Sequence, residues 1–161
     1  MTSKGINPSE FKDFYANFNA PIAAFDCGQR CAPHNESGKP FCCDICHAVP
    51  TAYTNEWKYL KPNTDLWFEW DGSPCVDTEE EAEEEFARLS SDLPDNMILI
   101  QCQGPDLCQR DFRGLTCRQF PFFPYIDSQG ELLGLSYYWE YEEQCWVISN
   151  LQMLTSEYLL S

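Results

Sequence analysis

The chain has 161 residues, 43% hydrophobic and 15% aromatic, with 26 acids against 10 bases for a net charge of −16. Five Trp, eight Tyr and eleven Phe supply more apolar area than a disordered chain carries. A surface this negative repels a phosphate backbone, which argues against nucleic acid as a partner.

No run approaches the ~18 apolar residues that cross a bilayer, so no membrane partner is expected. The opening stretch from Met1 to Glu10 lacks the apolar h-region of a signal peptide. The expectation is a soluble, cytoplasmic protein made of one domain, residues 1–161, because this length suits one core and is short for two.

Asn7-Pro8-Ser9-Glu10 reads as a helix start, with Pro at the first helical position and Glu completing a capping box. Phe11, Phe14, Tyr15 and Phe18 follow at helical spacing and predict one apolar face for the core. Asn19-Ala20-Pro21 stops that helix. From Phe25 to Pro50 there is no periodicity, and Gly28, Pro33, Asn35, Gly38 and Pro40 mark turns.

Thr54-Asn55-Glu56 opens a short helix with Trp57 and Leu60, ended by Pro62. Leu66 to Trp70 reads as a strand closed by an Asp71-Gly72 turn. Thr78 to Leu89 is a helix whose six glutamates, Glu79–Glu81 and Glu83–Glu85, suit its N-terminal dipole and a solvated face. Met97 to Ile100 is a buried strand that delivers Cys102. Phe122 to Ile126 and Leu132 to Trp139 form a hairpin around Asp127-Ser128-Gln129-Gly130, with Leu135, Tyr137 and Trp139 on one face expected in the core. A closing helix is expected from about Leu151 to Leu160, capped by Ser149 or Asn150.

Ten cysteines dominate the chemistry. Cys27, Cys31, Cys42, Cys43 and Cys46 form an early group and Cys102, Cys108, Cys117 and Cys145 a late one, with Cys75 alone between them. In a reducing compartment, clustered thiols serve metals more often than disulfides. Thiolates from a loop near residue 40 and from a segment some sixty residues later could share one centre, whose binding energy then counts as folding energy. Four thiolates suit a closed zinc site and a [4Fe–4S] cluster equally well.

The segment Cys117-Arg118-Gln119-Phe120-Pro121-Phe122, read with the Cys42-Cys43 pair, resembles the YkgJ-type cysteine-cluster proteins, a family described as zinc- or iron-chelating. The resemblance runs from about Cys27 to Cys145. Cys27, Cys31, Cys42 and Cys43 match the early cluster. Thr54-Asn55-Glu56-Trp57 matches the helix start that follows it. Cys102, Cys108, Cys117, Arg118, Phe120, Pro121 and Phe122 match the later segment, and Cys145 the last cysteine.

The family's tight order is opened here by three residues between Cys27 and Cys31 and ten between Cys31 and Cys42. Cys46 stands at a chelating Cys-x-x-Cys spacing from Cys43 and could replace Cys31. The family's Tyr-x-x-Arg-Pro is reduced to Phe112-Arg113-Gly114. The implied ligands are therefore Cys27, Cys31, Cys42, Cys43, Cys46, Cys102, Cys108, Cys117 and Cys145, and the implied cofactor is zinc or iron.

Arg118 either offsets thiolate charge or pairs with an acid, and Phe120 to Phe123 shield the site. His47 is a weaker ligand candidate, and His34 weaker still. Trp139 and Trp146 read as core. No catalytic constellation is present: there is no Ser/His/Asp order, phosphate-binding glycine loop or His-Glu-x-x-His.

The expected fold is α+β: a small single domain with helices packed on a short antiparallel sheet and an irregular cysteine-rich loop around a metal centre. The expected function is zinc or iron binding. An iron–sulfur electron-transfer protein or cluster-dependent enzyme component is the first alternative, and an acidic interaction module the second. Any protein partner should present a basic surface.

Overall fold

The computed structural model describes residues 6–161; Met1 to Gly5, part of the stretch read for a signal peptide, lie outside them. Asn7 caps a 3₁₀ turn, Pro8–Glu10, through the expected box: Glu10 Oε2 accepts from the Asn7 N–H at 2.6 Å. Helix α1 (Phe11–Asn17) continues from it. Its aromatic stripe divides rather than acting as one face. Phe11 and Tyr15 are buried, Phe18 packs against a second cluster, and Phe14 is 44% exposed.

A short helix α2 (Cys27–Cys31) opens the irregular region, capped by Asp26, which accepts from the Gly28 N–H at 2.9 Å. Strand β1 (Thr51–Tyr53) runs straight into α3 (Thr54–Asn63), whose N-cap is Tyr53. Pro62 lies inside α3 and does not end it. Strand β2 (Trp67–Glu69) follows, then the turn at Gly72. Gly72 has φ +89, and a Cβ there would overlap the Ala82 carbonyl, so glycine alone fits.

Helix α4 (Glu79–Ser91) starts at Thr78, whose Oγ1 accepts from the Glu81 N–H at 3.2 Å while Glu81 Oε2 accepts from the Thr78 N–H at 3.2 Å. Ala82 is its buried residue, and five of the six glutamates are exposed, as a solvated face requires. Strand β3 (Met97–Cys102) is the centre of a three-stranded antiparallel sheet ordered β1-β3-β2. Ala52 pairs with Ile98 and Trp67 with Cys102.

Helix α5 (Leu115–Gln119) leads through a cis Phe120-Pro121 bond into β4 (Phe122–Ile126), which pairs with β5 (Leu132–Tyr137). This hairpin is a separate two-stranded sheet, not a continuation of the first. Phe122 enters the core, but Leu135 is 47% exposed and Trp139 75%. The face expected inside therefore points outward, because none of the described residues forms a layer over it.

The closing helix also differs. A 3₁₀ segment Ile148–Met153 is broken at Asn150 (φ −139, ψ 45), and α6 (Ser156–Leu160) begins only after Thr155. Residues 154–155 are held extended by the chain near Pro21. Ala23 bridges Leu154, the Thr155 N–H donates to Ile22 O at 3.0 Å, and Thr155 Oγ1 donates to Pro21 O at 2.6 Å.

The result is a small single-domain α+β fold with two antiparallel sheets and two apolar clusters. Phe11, Tyr15, Leu60, Leu66, Trp67 and Ile100 build the first. Ile22, Cys31, Phe122, Cys145, Val147 and Tyr158 build the second. Among the described residues no helix is long and apolar enough to cross a membrane.

Candidate metal centre

Three chain segments bring cysteines toward the ground between the two clusters. In α2, Cys27 and Cys31 stand four apart and share a helix face. Cys42 and Cys43 lie in the 3₁₀ turn Phe41–Cys43, with their sulfurs 3.9 Å apart. Buried Phe41 anchors this turn against Tyr141 at 4.8 Å and Phe120 at 6.3 Å between ring centres. Cys102 ends β3, and its sulfur accepts from the Gly104 N–H at 3.4 Å. Cys108 is exposed beyond a 3₁₀ turn, and Cys117 sits in α5.

The charges that each thiol feels show which thiols lie within electrostatic reach of one another. Burial pushes Cys117 up to about 12, and negative charge on Cys43, Cys102 and Cys108 pushes the same way. Burial also raises Cys102 and Cys108, and both feel Cys43. The contact between the two sulfurs raises Cys42 and lowers Cys43. Cys42 also feels Cys117 and Cys27. Cys42, Cys43, Cys102, Cys108 and Cys117 therefore lie in one electrostatic neighbourhood, and Cys27 and Cys31 adjoin it through Cys42 and Cys43.

Cys31 and Cys145 form a different pair within the second apolar cluster. The Cys31 sulfur accepts the Trp146 N–H at 3.3 Å; its interaction with Cys145 and this bond lower Cys31 to about 7, while the same interaction and burial raise Cys145. Cys46 is not a free thiol. It is bonded to Cys75 across 5.2 Å between Cα atoms, which removes it from the ligand set in this state and gives Cys75 a partner. His47 turns toward Asp44, with Nδ1 3.2 Å from Oδ2. His34 closes the 3₁₀ turn after α2.

The cation beside the thiols is Arg113 rather than Arg118. Arg113 lowers Cys27, Cys43, Cys108 and Cys117, and its Nη2 donates to Cys117 O at 2.6 Å. Arg118 points elsewhere because successive helical residues are turned about 100° apart. It is 5% exposed and donates to six oxygens, five of them carbonyls, with its guanidinium 4.3 Å from the Tyr15 ring centre. Neither role expected for it is the one observed. The signal for Arg113 was its place four residues before Cys117.

Glu56, with no exposed area, orients the segment that carries Cys117. Its Oε1 accepts from Tyr15 OH at 2.6 Å and from the Leu115 N–H at 2.7 Å, which fixes the first turn of α5. Glu56→Ala leaves both donors unpaired and should cost about 2–4 kcal/mol.

Burial raises the Glu56 pKa above 4.5 more than its hydrogen bonds lower it. A raised carboxyl gives stability that is full below the unfolded value and is lost as pH rises through the folded one. The stability of wild type relative to Glu56→Gln should therefore fall as pH rises from about 4.5, read by urea unfolding at each pH. A flat difference contradicts the assignment.

Among the described residues, no group of three or more His, Cys, Asp or Glu side chains is placed to hold a metal ion. The donor chemistry suits zinc or iron. No protein-family model matches the chain, and comparison with curated proteins and with solved structures finds no match.

Proposed function

We propose that the chain binds zinc or iron through thiolates of Cys42, Cys43, Cys102 and Cys117, with Cys27 and Cys108 at the edge of the set. The observation that carries this is that Cys42 and Cys117, from distant segments, line one cleft, with Cys43 3.9 Å from Cys42 between sulfurs and Arg113 bonded to the Cys117 carbonyl. Four thiolates around one divalent ion leave net negative charge, and Arg113 offsets part of it. Most of these thiols are raised by burial, so metal uptake must displace protons. Cys31 and Cys145 supply a second pair of donors nearer the apolar interior.

Membership of the YkgJ-type proteins and a reducing, cytoplasmic setting belong to the same reading. The Cys46–Cys75 bond pulls the other way, since such bonds persist in oxidising compartments. In a reducing compartment Cys46 returns as a thiol at chelating spacing from Cys43. An iron–sulfur electron carrier uses the same ligands, and the acidic surface suits a basic protein partner.

Plasma mass spectrometry of protein purified without oxygen or chelator tests the reading. One or two zincs per chain are expected for a closed site, or about four irons for a cluster. Metal-free protein with its thiols unmodified overturns it. Unchanged stability of Cys43→Ser and Cys117→Ser then leaves the acidic interaction module.

A further inference from the structure

A cleft of about 350 Å³ opens beside the thiols, with Cys42 and Cys117 among its lining and His47 at one side. One wall is aromatic. Phe120, Tyr138 and Tyr141 form a triangle with ring centres 6.1, 5.9 and 6.0 Å apart, and Phe120 and Tyr138 are stacked 18° from parallel. Phe41 backs Tyr141 at 4.8 Å. The volume is at the lower end of small-molecule sites, and the mix of aromatic side chains with a few polar groups is typical of them.

We propose that this cleft binds a small organic cation, a quaternary or protonated amine carrying an apolar group, against its aromatic wall. Ring faces attract such cations through their quadrupoles, by about 0.5–2 kcal/mol according to desolvation. Among the described residues no Lys or Arg lines the cleft, so a carboxylate or phosphate finds no fixed positive charge there. Glu140 lies close enough to act on Tyr138, and burial together with that charge keeps the phenol protonated. The net charge of −16 favours a cation over a neutral ring of the same shape. The cleft shares Cys42 and Cys117 with the metal reading, but its aromatic wall is complete without an ion.

Benzyltrimethylammonium is a suitable probe, with benzyl alcohol and benzoate as the neutral and anionic controls. Titration of the full chain, followed by protein NMR shifts with and without prior chelator treatment, should show saturable binding of the cation. Benzyl alcohol should bind more weakly, and benzoate should not bind detectably. Tyr138→Leu keeps apolar bulk but removes a ring face, and should weaken cation binding about 5-fold while leaving benzyl alcohol nearly unchanged. Ala48→Trp, which fills the cleft from a half-buried position, should abolish both. Failure of the cation to saturate wild type, benzoate binding equal to it, or indifference to both variants overturns the proposal.

Discussion

Replacing Arg118 by Met should cost about 4 kcal/mol or more, and replacing it by Lys about half of that, both read from urea unfolding midpoints. The guanidinium works as a two-sided clamp. Nη1 donates to Tyr15 O, Phe18 O and Asn19 Oδ1 at the end of α1, at 3.1, 2.6 and 3.2 Å. Nη2 donates to Arg110 O and Asp111 O at 3.2 and 2.9 Å, and Nε to Arg113 O at 2.7 Å. Met retains the stem and contact with Tyr15 but leaves these acceptors without donors, each worth about 1–3 kcal/mol when buried.

Lysine carries one donor atom, so it can serve one side of the clamp and not both. Since a domain of this kind has about 5–15 kcal/mol in total, the Met variant should sit near the folding threshold. A loss below about 0.5 kcal/mol for Met contradicts the clamp, whatever the Lys variant does. Arg118→Lys should also loosen the 110–113 segment, including Arg113 beside the thiols, and so lower metal uptake at a temperature where the chain remains folded.

That clamp marks where sequence reasoning stops. Local signals placed the elements well: Thr78 with Glu81 announces α4, the run from Met97 to Ile100 announces β3, and the Gly130 turn announces the β4–β5 hairpin. These patterns depend on neighbours in the chain. Alternation along β5 reveals two faces but not whether any layer lies over one, and Trp139 ends in solvent. The helix expected from Leu151 is cut because Thr155 finds Pro21 and Ile22, partners distant in sequence.

The same limit applies at the thiols. Cysteine spacing singles out the residues but not their partners, so Cys75 read as solitary and Cys46 as a ligand until the fold joined them. Arg118, adjacent to Cys117, drew the electrostatic role that Arg113 holds, because sequence adjacency on a helix turns side chains apart.

Removing metal from protein isolated with it should lower the thermal midpoint by roughly 8–16 °C, corresponding to a loss of about 4 kcal/mol for a chain of this length. The figure is less than the ~10–16 kcal/mol of zinc-finger peptides, which have almost no fold without metal. Here two apolar clusters supply a core of their own, so a bound ion would add to an existing fold. On the proposed reading its contribution would be to hold the Cys42-Cys43 turn, otherwise anchored by Phe41, against β3 and α5. Cys43→Ser and Cys117→Ser should each reproduce most of the loss and be insensitive to chelator. Cys108→Ser, at an exposed position, should change the midpoint least. Cys75→Ser separates the remaining constraint: breaking its bond to Cys46 frees the far end of the same loop, yet should leave the chelator effect in place. If metal-loaded and stripped protein melt together while Cys75→Ser alone lowers the midpoint, the loop is held by its disulfide and the thiols of Cys42, Cys43, Cys102 and Cys117 are not a structural metal site.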